Sequence, residues 1–125
     1  MYGLTSVAQA LGAIWPHPEE TWLPPADPKA ALPWTYSGKQ EGPRFALRGL
    51  HEHTQHPIEA SDWYLRPGSP ERQAMASRYF RWLARNRNNV ASFHLLKTVN
   101  LQTWTPYAQD LAAVAHRYGI QLGAV

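Results

Sequence analysis

The chain of 125 residues contains no cysteine. Disulfide bonds, thiolate zinc sites and cysteine nucleophiles are therefore excluded within it. No apolar run approaches the ~20 residues that a membrane-spanning helix needs, and the N-terminus lacks the basic and apolar regions of a signal peptide. No phosphate-cradling glycine loop, nucleophile elbow or zinc finger occurs either. We therefore expect no membrane partner and no cofactor, while the compartment stays open.

Charged residues are few, at 17% of the chain, and the net charge is +3. Five arginines fall in one segment: Arg72, Arg78, Arg81, Arg85 and Arg87. A run of like charges is most often a solvated helix face, so we expect no nucleic-acid partner. Aromatic residues are plentiful, at 12%. Their flat faces suit sugar rings as well as a protein core.

Proline is unevenly distributed, since most of the eleven prolines lie in residues 16–43. Proline lacks a backbone donor and biases its neighbours toward extended backbone. This segment is therefore predicted to be an irregular linker and a candidate domain boundary.

Two helices are marked by their end signals. One is predicted to begin at Ser69 as N-cap with Pro70 at the first helical position. The second is predicted to begin at Thr105 with Pro106 following, and to end at Gly119 in the left-handed conformation.

Strand-like runs separate these helices, over residues 44–53, 90–98 and 120–125. The order strand, helix, strand, helix, strand predicts a parallel sheet with crossover helices. The last strand lacks the helix that normally follows a parallel strand, so we expect the chain to be a fragment. Its final strand would expose an apolar edge, which predicts self-association.

Four segments, taken in order, resemble a known arrangement. They are "YGLTSVAQALGAIWPHPEETWLP", "PRFALRGLHEHT", "NVASFHLLKTVNLQTW" and "YAQDLAAVAHRYGIQLGAV". Together they resemble β-N-acetylhexosaminidases and α-glucuronidases. The resemblance implies the first three β/α units of a (β/α)8 TIM-type barrel over residues 44–125. Residues 1–43 would be the helix-strand tail of a small α/β accessory domain and a linker.

The resemblance also implies a glycosidase-like parent protein that acts on or binds carbohydrate. Its catalytic acids would follow a fourth strand, which these 125 residues do not reach. In a barrel of this type, ligands meet the carboxyl ends of the strands, and Arg48 matches the family's sugar-holding arginine. The candidate substrate-binding residues are Arg48, His51, His53, His56, Trp63 and Lys97.

The stretch "RGLHEHTQHP" carries the main ambiguity. His51 and His53 are two residues apart on a predicted strand, so they share a face with roughly 7 Å between Cα atoms. Such a pair suits a polar sugar pocket, since neutral imidazole both donates and accepts hydrogen bonds. It also suits a shared metal, as in an amidohydrolase-like barrel. Glu52 should face the opposite way. A third alternative is a non-catalytic binding module or remnant.

Overall fold

Two sheets and four helices make up the described part of the chain, residues 2–25 and 42–125 of a computed structural model. The helices are α1 (Tyr2–Ala10), α2 (Glu59–Leu65), α3 (Pro70–Arg85) and α4 (Leu101–Arg117). The strands are β1 (Ile14–His17), β2 (Glu20–Trp22), β3 (Gly49–Glu52), β4 (Val90–Phe93) and β5 (Gln121–Ala124). Within these residues no helix is both long and apolar enough to cross a bilayer.

Strands β3, β4 and β5 form a three-stranded sheet in that order, and both pairings are parallel. Gly49 pairs with Val90 at one end of the first pairing, and Glu52 pairs with Phe93 at the other. The prediction of a parallel sheet joined by helices is therefore confirmed. In the described residues, the outer edges of β3 and β5 have no strand beside them. Self-association through such an edge stays a prediction.

The predicted TIM-type barrel is wrong, because the three-stranded sheet stays open and no barrel closes within residues 2–25 and 42–125. A barrel of that type needs about eight tilted strands so that the last can pair with the first. Three strands of four residues each cannot curve that far.

The predicted helix-strand tail is also different, because α1 is followed by an antiparallel hairpin of β1 and β2. This hairpin packs on α3, where Trp82 Nε1 donates to the Trp15 carbonyl at 2.8 Å. Strand β1 runs through Pro16, which a two-stranded sheet tolerates because both of its strands are edges. The rest of the predicted linker includes residues 26–41, which lie outside the described residues.

An aromatic core fills the space between the parallel sheet and the helices. Tyr64 of α2 stacks on Phe93 of β4 with ring centroids 4.3 Å apart. Trp104 of α4 meets the same Phe93 ring edge-on at 6.2 Å. The Trp104 indole nitrogen donates to the Tyr64 carbonyl at 2.9 Å, which satisfies a buried donor and ties α4 to α2.

Helix ends follow the sequence signals in part. Ser69 caps α3 by accepting from the Arg72 backbone N–H at 3.2 Å, as predicted. Gly119 follows α4 with a φ of 72°, also as predicted. The start of α4 is different, because Asn100 caps the helix and Pro106 lies inside it. Burial of Trp104 in the extra turn offsets the hydrogen bond that proline cannot make.

Candidate functional site

The two faces of the parallel sheet are unlike each other. Residues alternate between faces along a strand, and the register puts Ala91 and Phe93 on the side of the helices, where they are buried. The opposite side, here called the open face, is exposed or half-buried. It carries Gly49, His51, Val90, Ser92, Gln121 and Gly123.

Gly49 sets the register on the open face. A Cβ at this position would lie 1.8 Å from the carbonyl oxygen of Val90, far inside contact distance. The close approach of β3 and β4 therefore requires glycine in the Arg-Gly pair that precedes the histidines. It places His51 beside Ser92.

Four histidines gather at the carboxyl edge of this sheet: His51, His53, His56 and His94. We call them the histidine cluster. His51 lies in β3, His53 and His56 lie in the loop after it, and His94 directly follows β4. Parallel strands end at the same edge, which explains why residues more than 40 positions apart in the chain meet there.

The closest contact in the cluster joins β3 to the residue that directly follows β4. The Nε2 atoms of His51 and His94 are 3.1 Å apart, and their rings meet edge-on. On its other side, His51 Nδ1 lies 2.9 Å from the Ser92 hydroxyl oxygen. Both nitrogens of His51 are therefore engaged, and this fixes the orientation of its ring.

The remaining two histidines extend the cluster along the loop after β3. The His53 ring meets His94 edge-on, with centroids 4.8 Å apart, and stacks on His56 at 5.2 Å. The loop itself is anchored, because the buried Thr54 hydroxyl donates to the His94 carbonyl. Ser61 Oγ donates to the His56 carbonyl at 2.8 Å. These hydrogen bonds therefore anchor the backbone of the loop that carries His53 and His56.

Electrostatics within the cluster act most clearly on His94. Partial desolvation, followed by the charges of His51 and His53, lowers the pKa of His94 below its usual value. This shift favours the neutral imidazole, in which one ring nitrogen is an acceptor.

A cleft of about 480 Å³ opens beside the cluster, between the loop after β3 and the loop after β4. We call it the edge cleft. Its polar side chains include Gln55, His56, Ser61, Thr98, Asn100 and Thr103. Leu65, Leu96 and Trp104 add apolar surface. His56 belongs to both the cluster and the edge cleft.

Three of the predicted site residues lie away from this arrangement. Arg48 precedes β3 at the amino edge, where its guanidinium donates to the Arg87 carbonyl at 2.9 Å and to the Phe45 carbonyl at 2.5 Å. Arg48 therefore lies at the edge opposite to the histidine cluster, and its role as a sugar-holding arginine stays a prediction. Lys97 is exposed in the turn after β4, on the correct edge but outside the lining of the cleft.

Trp63, the third of these candidate substrate-binding residues, lies in α2 and is 5% exposed. Its ring packs against Tyr64 and Tyr79, with centroids 4.3 and 5.1 Å away. Trp63 does not line the edge cleft, but it does line a separate pocket with Leu50 and Tyr79. The short helix has no side-chain cap, so the sequence carried no start signal for it.

Glu52 faces away from His51, as predicted, and accepts a hydrogen bond from the Tyr79 hydroxyl. Burial, followed by this hydrogen bond, raises the pKa of Tyr79. The Glu52 carboxylate therefore lies on the helix side of the sheet and does not join the histidine cluster.

Sequence reasoning paired His51 with His53 and missed the contact between His51 and His94. Aligning "GLHEH" with "VASFH" would have placed His51 next to Ser92 and both strand ends at one edge. Within residues 2–25 and 42–125, no three His, Asp or Glu side chains are grouped so that they could hold one metal ion. The predicted pair His51 and His53 thus has no third ligand in place.

Comparison of the chain with models of protein families, with curated proteins and with solved structures found no match.

Proposed function

We propose that this chain binds a carbohydrate in the edge cleft at the carboxyl edge of its parallel sheet. The observation that carries the proposal is the composition of that cleft, which combines hydrogen-bonding side chains with an apolar wall. A sugar ring has the same two kinds of surface, since its hydroxyl groups project around the ring and its C–H groups form the faces.

Hydrogen-bonding capacity in the edge cleft is available to a ligand. Among the described residues, the side chains of Gln55, His56 and Thr98 line the cleft and make no hydrogen bond within the protein, although the His56 backbone does. An amide, an imidazole and a hydroxyl group can each both donate and accept, as sugar hydroxyls do. The ligand would therefore satisfy groups that otherwise bond only to water.

Size and position also support the proposal. A cleft of about 480 Å³ lies within the range of small-ligand sites. Open α/β sheets characteristically bind ligands outside the carboxyl ends of their strands. The resemblance to β-N-acetylhexosaminidases and α-glucuronidases favours a sugar as the class of ligand. It also favours a glycosidase-like protein as the parent of this chain.

The proposal concerns binding, not bond cleavage by this chain. Glycoside hydrolysis uses two carboxyl groups about 5–10 Å apart across the scissile bond. Near the cleft, the Asp62 carboxylate pairs with Arg66 at 3.1 Å, and no carboxylate lines the cleft in the described residues.

Titration of the isotope-labelled chain with N-acetylglucosamine, glucuronic acid and glucose, followed by NMR, tests the proposal. We expect saturable shifts at Gln55, Thr98 and their neighbours. Gln55→Ala and Thr98→Val should each weaken binding about five- to tenfold, as expected for the loss of one hydrogen bond.

Gln109→Ala is the matched control, because Gln109 is an exposed glutamine of α4 outside the cleft. It should bind sugar as the wild type does. Absence of saturable binding at millimolar sugar would contradict the proposal, as would equal affinities for the Gln55 and Gln109 variants.

A further inference from the structure

The geometry of the His51–His94 pair indicates a second kind of ligand, independent of the sugar proposed for the edge cleft. Two imidazoles bound to one tetrahedral zinc ion at 2.0–2.1 Å have their nitrogens about 3.3 Å apart. The Nε2 atoms of His51 and His94 are 3.1 Å apart already. Only a few tenths of an ångström separate the observed pair from a pair of metal ligands.

Support for this arrangement comes from the far side of the His51 ring. Histidine ligands usually donate their other ring N–H to an oxygen, which fixes the tautomer and aims the free lone pair at the metal. His51 Nδ1 lies 2.9 Å from Ser92 Oγ, in position for such a bond. With the proton on Nδ1, the lone pair of His51 Nε2 points toward His94.

We propose that His51 and His94 together bind one divalent transition-metal ion, with water completing its coordination. Imidazole nitrogen suits copper, nickel and zinc, and affinity for a given site is generally highest for Cu²⁺. The ion would replace the hydrogen that bridges the two Nε2 atoms in the metal-free protein. That hydrogen moves to Nδ1 of the same ring by exchange with water, so both histidines stay neutral.

The fold gives the pair two properties that a chance surface contact lacks. His51 sits on a strand whose register is fixed by Gly49, and Ser92 holds its ring, so little side-chain freedom is lost on binding. The pair also lies on the open face, where His51 is exposed and an ion can reach it.

His53 is the nearest further imidazole, because its ring meets His94 edge-on at 4.8 Å. It does not complete a three-ligand group with the pair, since no such group occurs among the described residues. The inference is therefore a site with two protein ligands.

The first test is Cu²⁺ binding to the full chain after chelator treatment, measured by calorimetry and by electron paramagnetic resonance. We expect one ion per chain with two imidazole nitrogens in its spectrum. His51→Gln and His94→Gln should each weaken binding at least tenfold, because one ligand alone remains.

His17→Gln and His116→Gln are the matched controls, since both histidines are exposed and lie outside the cluster. They should bind Cu²⁺ as the wild type does. Wild-type affinity in both His51→Gln and His94→Gln would overturn the proposal by placing the ion elsewhere, for example at the amino terminus. A wild-type chain without a two-imidazole site would overturn it as well.

A second measurement needs no substitution and so does not depend on the variants folding. Zn²⁺ added to the wild-type chain should shift the ring signals of His51 and His94 in histidine NMR spectra, while those of His17 and His116 stay in place. Shifts of all six histidines to the same extent would contradict a specific site.

Discussion

The covered face, which is the helix side of the three-stranded sheet, and the open face are built from alternate residues of the same strands, yet they differ in burial and in polarity on β4. Ala91 and Phe93 are at most 1% exposed, and the Tyr64 and Trp104 rings pack on Phe93. Their neighbours Ser92 and His94 point to the other side and bond to His51. One face is packed as part of the core, and the other is accessible to solvent.

The largest difference in stability that we expect between the two faces is between substitutions of the neighbouring β4 residues Phe93 and Ser92. Phe93→Ala removes a fully buried ring that contacts Tyr64 and Trp104, and it should lower the free energy of unfolding by about 3–5 kcal/mol. Ser92→Ala removes one half-exposed hydroxyl and should cost less than about 1 kcal/mol. Urea unfolding followed by circular dichroism measures both. Equal losses would mean that the two faces are not distinct.

Glycine substitutions test whether the open face also carries a packing constraint. Gly49→Ala would put a methyl group 1.8 Å from the Val90 carbonyl oxygen, and the strands must separate to admit it. We expect a loss of about 1–3 kcal/mol. The control is Gly123→Ala on the same face, where the new methyl group would meet only Ser92 Cβ at 3.7 Å. A Gly49 variant as stable as the Gly123 variant would contradict the close approach.

Alkaline pH should lower the free energy of unfolding through groups on the covered face, because buried phenols lie on that side of the sheet. Burial is the main cause that raises the pKa of Tyr64, Tyr79 and Tyr107. In the unfolded chain these phenols ionise near pH 10. Above that pH the unfolded state loses protons that the folded state keeps, so stability falls as the pH rises.

Each phenol that stays protonated in the fold contributes a slope of about 1.4 kcal/mol per pH unit above pH 10. Tyr64→Phe removes one such group, so its stability should fall less steeply than that of the wild type between pH 10 and pH 11. The measurement is the unfolding free energy at each pH, with tyrosinate absorbance as a second signal. Identical slopes would show that Tyr64 ionises within the folded protein.

Local signals in the sequence predicted the elements on which this comparison rests. The parallel order of three strands follows from the strand-helix alternation, and the start of α3 follows from Ser69 and Pro70. Each signal used lies within one strand or within one or two turns of a helix, even though the strands themselves are far apart in the chain. The amphipathic pattern and the capping residues therefore carry enough information to specify them.

Features that depend on distant residues escaped prediction. The start of α4 was misplaced because Pro106 is a strong local signal, whereas the burial of Trp104 is decided by α2 and β4. The barrel was expected from the family resemblance, whereas the local patterns predicted three strands, which are too few to close one. The contact between His51 and His94 depends on the register of two strands, so spacing along one strand indicated His53 as the partner.

The smallest effect that we expect distinguishes two phenols on the helix side of the sheet. The Tyr107 hydroxyl donates to the Trp63 carbonyl at 2.6 Å, whereas the fully buried Tyr64 hydroxyl has no partner among the described residues. Tyr107→Phe should therefore cost about 1 kcal/mol by leaving a carbonyl unpaired. Tyr64→Phe should be neutral or slightly stabilising at pH 7, because a buried hydroxyl without a hydrogen bond is itself unfavourable. Thermal unfolding of both variants measures the difference, and a larger loss for Tyr64→Phe would mean that its hydroxyl has a partner, such as a buried water.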